Sequence, residues 1–283
     1  MEIPLLLLAC AAIGLVAGVV GGIAGIGGSI IMLPALVLLV GHDRDHHVYQ
    51  GAAMIVNAVV AYASSKQHEK SGAIRRPLYV RLWPAMALAS VATVWFSKSI
   101  PGFWPRVGLA GFLMLYCGYN IFAALRKLPD AGEERETTST ALLVSIGILC
   151  GCAAGFLAIG GGILMVPLLQ VLGKVQLKRA IATSAAVMTV TAPIGAMAKI
   201  GTLYMEEADW QTSLLLAAGM SIGAIGGAKV GVIITQRMSL PNLRLVLSLI
   251  LAVVAGKMAV DEIARRGEVT PARARSESAP ERP

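Results

Sequence analysis

The sequence predicts an all-α polytopic membrane protein of two homologous repeats, each of about four transmembrane helices with a glycine-broken first helix and a short second arm. Three observations predict this class. Charge is scarce: only 14% of the 283 residues are Asp, Glu, Lys or Arg and 56% are hydrophobic, whereas a soluble domain is roughly 25% charged and 45–50% apolar. The uncharged stretches have the lengths that bilayer spans need. The two halves of the chain also resemble each other.

A hydrocarbon core of about 30 Å takes about 20 uncharged helical residues to cross. The charge-free runs are Ile3–His42, His46–Ser65, Leu82–Ser97 and Val107–Leu125, then Thr137–Gly173, Ala180–Ala198, Trp210–Ala228 and Leu245–Gly256. They form two sets of four. The first run of each set is almost twice the usual length, and as one straight helix would extend about 55–60 Å at 1.5 Å per residue. Each must break or fold back. Ile26-Gly27-Gly28-Ser29 interrupts one and Ile159-Gly160-Gly161-Gly162 the other, with Pro34 and Pro167 following. Glycine clusters make poor helix interiors, and irregular backbone at membrane depth survives only inside protein or along a cavity. Each long run therefore reads as a helix, a break and a short second helix.

The expected boundaries are a first transmembrane repeat over 1–126, a charged and solvated linker over 127–140, a second repeat over 141–264, and a disordered basic tail over 265–283. The tail has almost no large apolar side chains to bury.

A shift of 133 residues superposes Gly14, Gly18, Gly22, Ile26, Gly27, Gly28 and Pro34 on Gly147, Gly151, Gly155, Ile159, Gly160, Gly161 and Pro167. Paired Gly/Pro-interrupted segments in two halves are the strongest sequence pointer to a secondary transporter's binding site. Gly219, Gly223, Gly227 and Gly231 continue the same four-residue spacing, which suits close helix packing.

The net charge of +8 would suggest nucleic acid in a soluble chain; here it reads as loop charge that sets topology. If each half crosses four times, Lys and Arg divide 14 to 8 in favour of the side holding the linker and both termini. If the short arms make a fifth crossing, they divide 13 to 9, the termini face outward and the repeats are inverted. The positive-inside rule favours eight spans with cytoplasmic termini. Without a basic n-region, the N-terminus does not read as a cleaved signal peptide. Cys10, Cys117, Cys150 and Cys152 lie in apolar stretches and read as small buried hydrophobes.

The cargo follows from what the spans lack. All 16 acidic residues lie outside the charge-free runs, which disfavours a cation pathway. The breaks instead place backbone N–H groups and positive dipole ends at the starts of two short helices, an arrangement suited to an oxyanion. The candidate substrate-binding residues are Gly27, Gly28, Ser29 and Asn57 from the first half, and Gly160, Gly161, Gly162, Thr183, Ser184 and Lys229 from the second. Thr189, Thr191 and Ser64 are further polar side chains in the same spans. No catalytic residue, metal ligand set or cofactor motif is expected, and there is no Gly-x-x-x-x-Gly-Lys-Ser/Thr phosphate loop. One rival is a divalent metal transporter using His42-Asp43-Arg44-Asp45-His46-His47; another is a non-transporting membrane assembly protein.

Gly-Ile-Gly-Gly-Ser-Ile-Ile-Met-Leu-Pro at 25–34 and Ala-Ile-Gly-Gly-Gly-Ile-Leu-Met-Val-Pro at 158–167 resemble the duplicated signature of the sulfite exporter TauE/SafE family, also called the toluene sulfonate uptake permease family. Ala182-Thr183-Ser184 is similar to the Ala-x-Gly-Thr-Ser pattern of that family. The resemblance covers about residues 3–263. It implies a multi-pass inner (plasma) membrane permease or exporter of small inorganic or organic sulfur oxyanions such as sulfite, sulfoacetate or other organosulfonates. Its partners would be the anion and the lipid bilayer, with no nucleic acid and with room for a homo-oligomer. The first half departs from the pattern, with Ala52-Ala53-Met54 in place of Thr-Ser, so one dominant hydroxyl-bearing site from the second half is expected.

Overall fold

The computed structural model describes residues 3–40, 46–96, 103–130, 132, 136, 139–157, 161–205 and 209–277. Among them ten α-helices and no strands are found: α1 Ile3–Ala24, α2 Ser29–Val40, α3 His46–Lys70, α4 Arg76–Phe96, α5 Phe103–Leu125, α6 Thr140–Leu157, α7 Gly162–Val171, α8 Leu177–Met205, α9 Trp210–Arg237 and α10 Leu240–Glu277. Where eight spans are expected, five helices (α1, α5, α8, α9 and α10) combine the length and apolarity needed to cross a bilayer. Helices α3 and α4 are long, at 25 and 21 residues, but they carry more polar residues: Asn57, Ser64, His68, Ser90 and Thr93 are buried, while Lys66, Glu69, Lys70 and Arg76 are exposed. Leu38, Leu88, Leu115, Ile222 and Leu249 are each at least two-thirds exposed. Apolar surface of that extent on an all-helical chain is what a multi-pass protein presents to lipid.

Close contacts fix the helix directions. Along α1 and α9, Gly14 meets Met220, Gly18 meets Ala224 and Gly22 meets Ala228, so the two helices run parallel. A Cβ on Gly223 would lie 1.9 Å from the Ala11 carbonyl oxygen; only glycine admits backbone at this range. Gly147 and Gly151 pack in the same way on the Leu82 and Met86 carbonyls, so α4 and α6 are also parallel. Helix α3 lies antiparallel to α8, with Gly51 beside Leu203 and Gly195 beside Met54. It runs parallel to α9: Ser213 Oγ donates to Val48 O at one end and Gln236 Nε2 to Ser71 Oγ at the other. Helix α5 is antiparallel to α10, since Cys117 meets Ser248 and Ala123 meets Arg244.

The short arms run backwards. Helix α2 starts beside Asn57, near the middle of α3, and only five residues separate its end from the start of α3. Helix α7 likewise returns toward the start of α8. All ten helices therefore alternate in direction, and the start of α1 and the end of α10 lie on the face opposite the linker. This corrects the eight-crossing scheme preferred from charge counts, because a run of uncharged residues does not disclose that it doubles back.

The linker is tied to the helices: Arg75 pairs with Glu136 at 2.8 Å, and Asp130 Oδ2 accepts from Leu177 N at 2.8 Å. Arg244, only 2% exposed, donates to Leu128 O at 2.7 Å and faces Asp130 at 3.8 Å. Helix α10 runs on to Glu277.

Candidate functional site

The two glycine breaks meet at the centre of the molecule. At the first, Gly25 and Gly27 adopt φ of +66° and +79°, a left-handed conformation that glycine enters without a Cβ penalty. The chain leaves α1 there and restarts at Ser29. At the second, a Cβ on Gly162 would lie 2.7 Å from Gly25 O and 2.5 Å from Met188 Sδ. Both breaks thus press on one another and on α8. Gly160 lies outside the described residues.

The breaks differ in how their helix starts are satisfied. Asn57 Oδ1, supplied by α3, accepts from Gly28 N at 2.7 Å and from Ser29 N at 3.1 Å. Asn57 Nδ2 also donates to Ser29 Oγ, and Ser184 Oγ donates to Gly25 O at 2.8 Å. The first break is thus closed by protein groups. Helix α7 begins at Gly162 after Gly161 as its N-cap, with no side-chain cap among the described residues, which leaves the positive end of its dipole available to an anion.

Beside that end lies a small, partly open and mostly apolar cavity. Asn57, Ser90, Gly161 and Thr191 supply its polar lining, and the side chains of Met54, Met86 and Met188 supply much of the rest. The Ser90 and Thr191 hydroxyls donate to Ala87 O and Val187 O one turn back, so the single proton of each must rotate away from that carbonyl to reach an anion in the cavity. No charged side chain lines it. Anion recognition at this place would rest on dipoles and N–H groups rather than on a fixed cation.

Of the residues singled out from the sequence, Gly27, Gly28, Ser29, Asn57, Gly161, Gly162 and Ser184 lie together around the breaks. Thr183, fully buried, accepts from Arg75 N at 3.3 Å toward the linker face and does not line the cavity. Lys229 is exposed on the outside of α9. Gly227 and Gly231 turn toward α1, and Lys229, two residues from each, points the opposite way at 100° per residue. Sequence reasoning missed Ser90 and the three methionines, which carry no local signature. Of the histidine-rich loop, residues 41–45 lie outside the described set, while His47 Nδ1 sits 2.7 Å from Lys199 Nζ.

A family model for the sulfite exporter TauE/SafE matches residues 10–258. The chain belongs to that family. This TauE/SafE member is also similar to probable membrane transporter proteins: YunE of Bacillus subtilis, 23% identical over 89% of this chain and 96% of the relative; one from Methanocaldococcus jannaschii, 27% identical over 89% and 93%; and one from Xylella fastidiosa, 28% identical over 78% and 83%. No solved structure matches it. The TauE/SafE chain is thus a multi-pass membrane transporter, not an enzyme.

Proposed function

We propose that this transporter carries sulfur-containing oxyanions (sulfite, sulfoacetate or other organosulfonates) across the cell's inner membrane, and that the anion binds at the uncapped start of α7. The observation that carries this reading is the pairing of a bare helix N-terminus with a central cavity free of charged side chains. Backbone N–H groups and a half-charge of dipole favour an anion there, while a metal cation would meet no carboxylate. Ser90, Thr191 and the backbone around Gly161 orient the anion; Asn57 holds the first break rigid beside it.

The two halves are inverted repeats in this reading. Their helices pair reciprocally: α1 lies on α9 and α6 on α4, while α3 pairs with α8 and α5 with α10. Five alternating helices per half bring the second half in upside down relative to the first. Such repeats support alternating access around a fixed midplane site. Transport is uniport or secondary transport driven by ion gradients.

The test is flux into liposomes holding the purified protein. Sulfite or a sulfonate should cross, and Gly161→Val should stop it while the protein still inserts. Divalent-metal flux without any sulfur-oxyanion flux would favour the metal reading instead. The placement of Lys199 Nζ 2.7 Å from His47 argues against that reading, since it puts an ammonium where a cation would have to bind.

A further inference from the structure

One buried ionisable side chain lies outside the cavity. His68, in the last turn of α3, is 1% exposed, and neither ring nitrogen has a hydrogen-bond partner among the described residues. A neutral imidazole carries one donor and one acceptor, and leaving both unpaired in a buried place is unfavourable. A ligand that reached the ring would relieve that cost.

The position of His68 indicates which state. Asn57, Ser64 and His68 are spaced seven and four residues apart and all are buried. At 100° per residue they share one face of α3 within about 40° of one another. This seam starts at the cavity and rises about 16 Å, at 1.5 Å per residue, toward the linker face. The linker face is identified by the Arg75 to Glu136 pair just beyond the end of α3. The cavity itself lies on the other side of the breaks, toward Thr191 and Gly195 on α8. The seam therefore traces the leg that is closed here and that alternating access would open.

The surrounding charge favours an anion on that leg. The helices packed on α3 are α8, α9, α2 and α1. At the linker end they carry Lys178 and Arg179 on α8 and Arg237 on α9, while α1 and α2 carry no charged residue among those described. On α3 itself Lys66, Glu69 and Lys70 are exposed, and the other described acids at this end are Asp130, which caps α8 and faces Arg244, and Glu136, paired with Arg75. With cations nearby and no buried carboxylate, an imidazolium is unfavourable until an anion arrives, and the anion is bound more tightly once the ring is protonated. The two binding events must promote each other equally.

Resting on the anion-permease reading, we propose that His68 is a transit station on the linker-facing leg: it hydrogen-bonds the anion entering or leaving there, and its protonation from that face strengthens the contact. The proton adds to the free ring nitrogen from linker-side water and returns to it, so no proton need cross the membrane.

The experiment uses proteoliposomes sorted by orientation with a C-terminal tag, which lies on the face opposite the linker. The probe is labelled ethanesulfonate, whose charge does not titrate between pH 6 and 8. Lowering the linker-side pH from 8 to 6 multiplies the small protonated share of a ring whose charge burial disfavours by about a hundredfold, and should raise the wild-type initial rate about tenfold. The same change on the other face should leave it unaltered. His68→Gln, which keeps a hydrogen-bonding side chain but cannot titrate, should retain the pH 8 rate and lose the rise. Wild-type flux indifferent to linker-side pH, or an unchanged rise in His68→Gln, overturns the assignment. The wild-type sidedness alone decides the matter if the variant does not insert. Absence of wild-type flux for every sulfur oxyanion would instead remove the permease reading on which this one stands.

Discussion

The two glycine breaks have nearly the same sequence and opposite chemistry. The first is closed by Asn57, which satisfies the N–H groups of Gly28 and Ser29 from a neighbouring helix. The second has no side-chain cap, and Met188 lies against Gly162. A shift of 131 residues places Asn57 on Met188, so one substitution between equivalent places separates a finished structural joint from a site with donors to spare. In the anion-permease reading, that difference between an amide and a thioether decides which helix start is left for cargo.

That contrast can be broken most severely at Gly161. Its Cβ would fall 2.6 Å from Cys150 O and 2.4 Å from the Met86 methyl. Gly161→Val should lower flux by about tenfold to a hundredfold, the equivalent of roughly 1–3 kcal/mol of overpacking at the site, measured as initial uptake per inserted molecule. Next, Met188→Asn should make the second break resemble the first. An amide oxygen reaching the α7 start would compete with the anion, and the half-saturating concentration should rise about tenfold, a charge-assisted hydrogen bond being worth about 1.5–3 kcal/mol.

The reverse lesion at the first break should act on stability instead. Asn57→Ala leaves two buried N–H groups without their acceptor and should cost about 1–3 kcal/mol, seen as a lower melting temperature in detergent. Anion affinity should fall far less than in Met188→Asn. The smallest effect is expected at Lys229, on the outer face of α9. Lys229→Leu should change neither flux nor melting beyond about 0.5 kcal/mol; a large loss of flux would return that lysine to the pathway.

Much of this was legible in the sequence because glycine and charge have strong physical meanings. Gly27-Gly28 and Gly160-Gly161-Gly162 cannot continue a helix cheaply, so the interruptions could be read directly. The direction of α2 could not, because turning back at Gly25 depends on Asn57 and Ser184 reaching over from α3 and α8, contacts distant in the chain. Lys229 was misplaced because its glycine neighbours suggested a pathway, although their four-residue period already turned it away from the contact face. Thr183 and Ser184 were singled out as ligands; both are committed to backbone groups, a use that residue type does not distinguish from ligand binding. Met54, Met86 and Met188 are ordinary core residues by composition and acquire significance only through convergence. The linker's acids looked like solvated charge, whereas Asp130 caps the start of α8 and faces a buried Arg244.

The glycine seams also have a mechanical consequence. Backbones that touch along several turns, as α1 does with α9 and α6 with α4, slide or separate only at the loss of their whole shared contact. Each sequence half has therefore lent its first helix to the other half's rigid frame. Whatever pieces rock past one another during a transport cycle, each is stitched from both ends of the gene, and the boundary between them runs across the linker rather than along it.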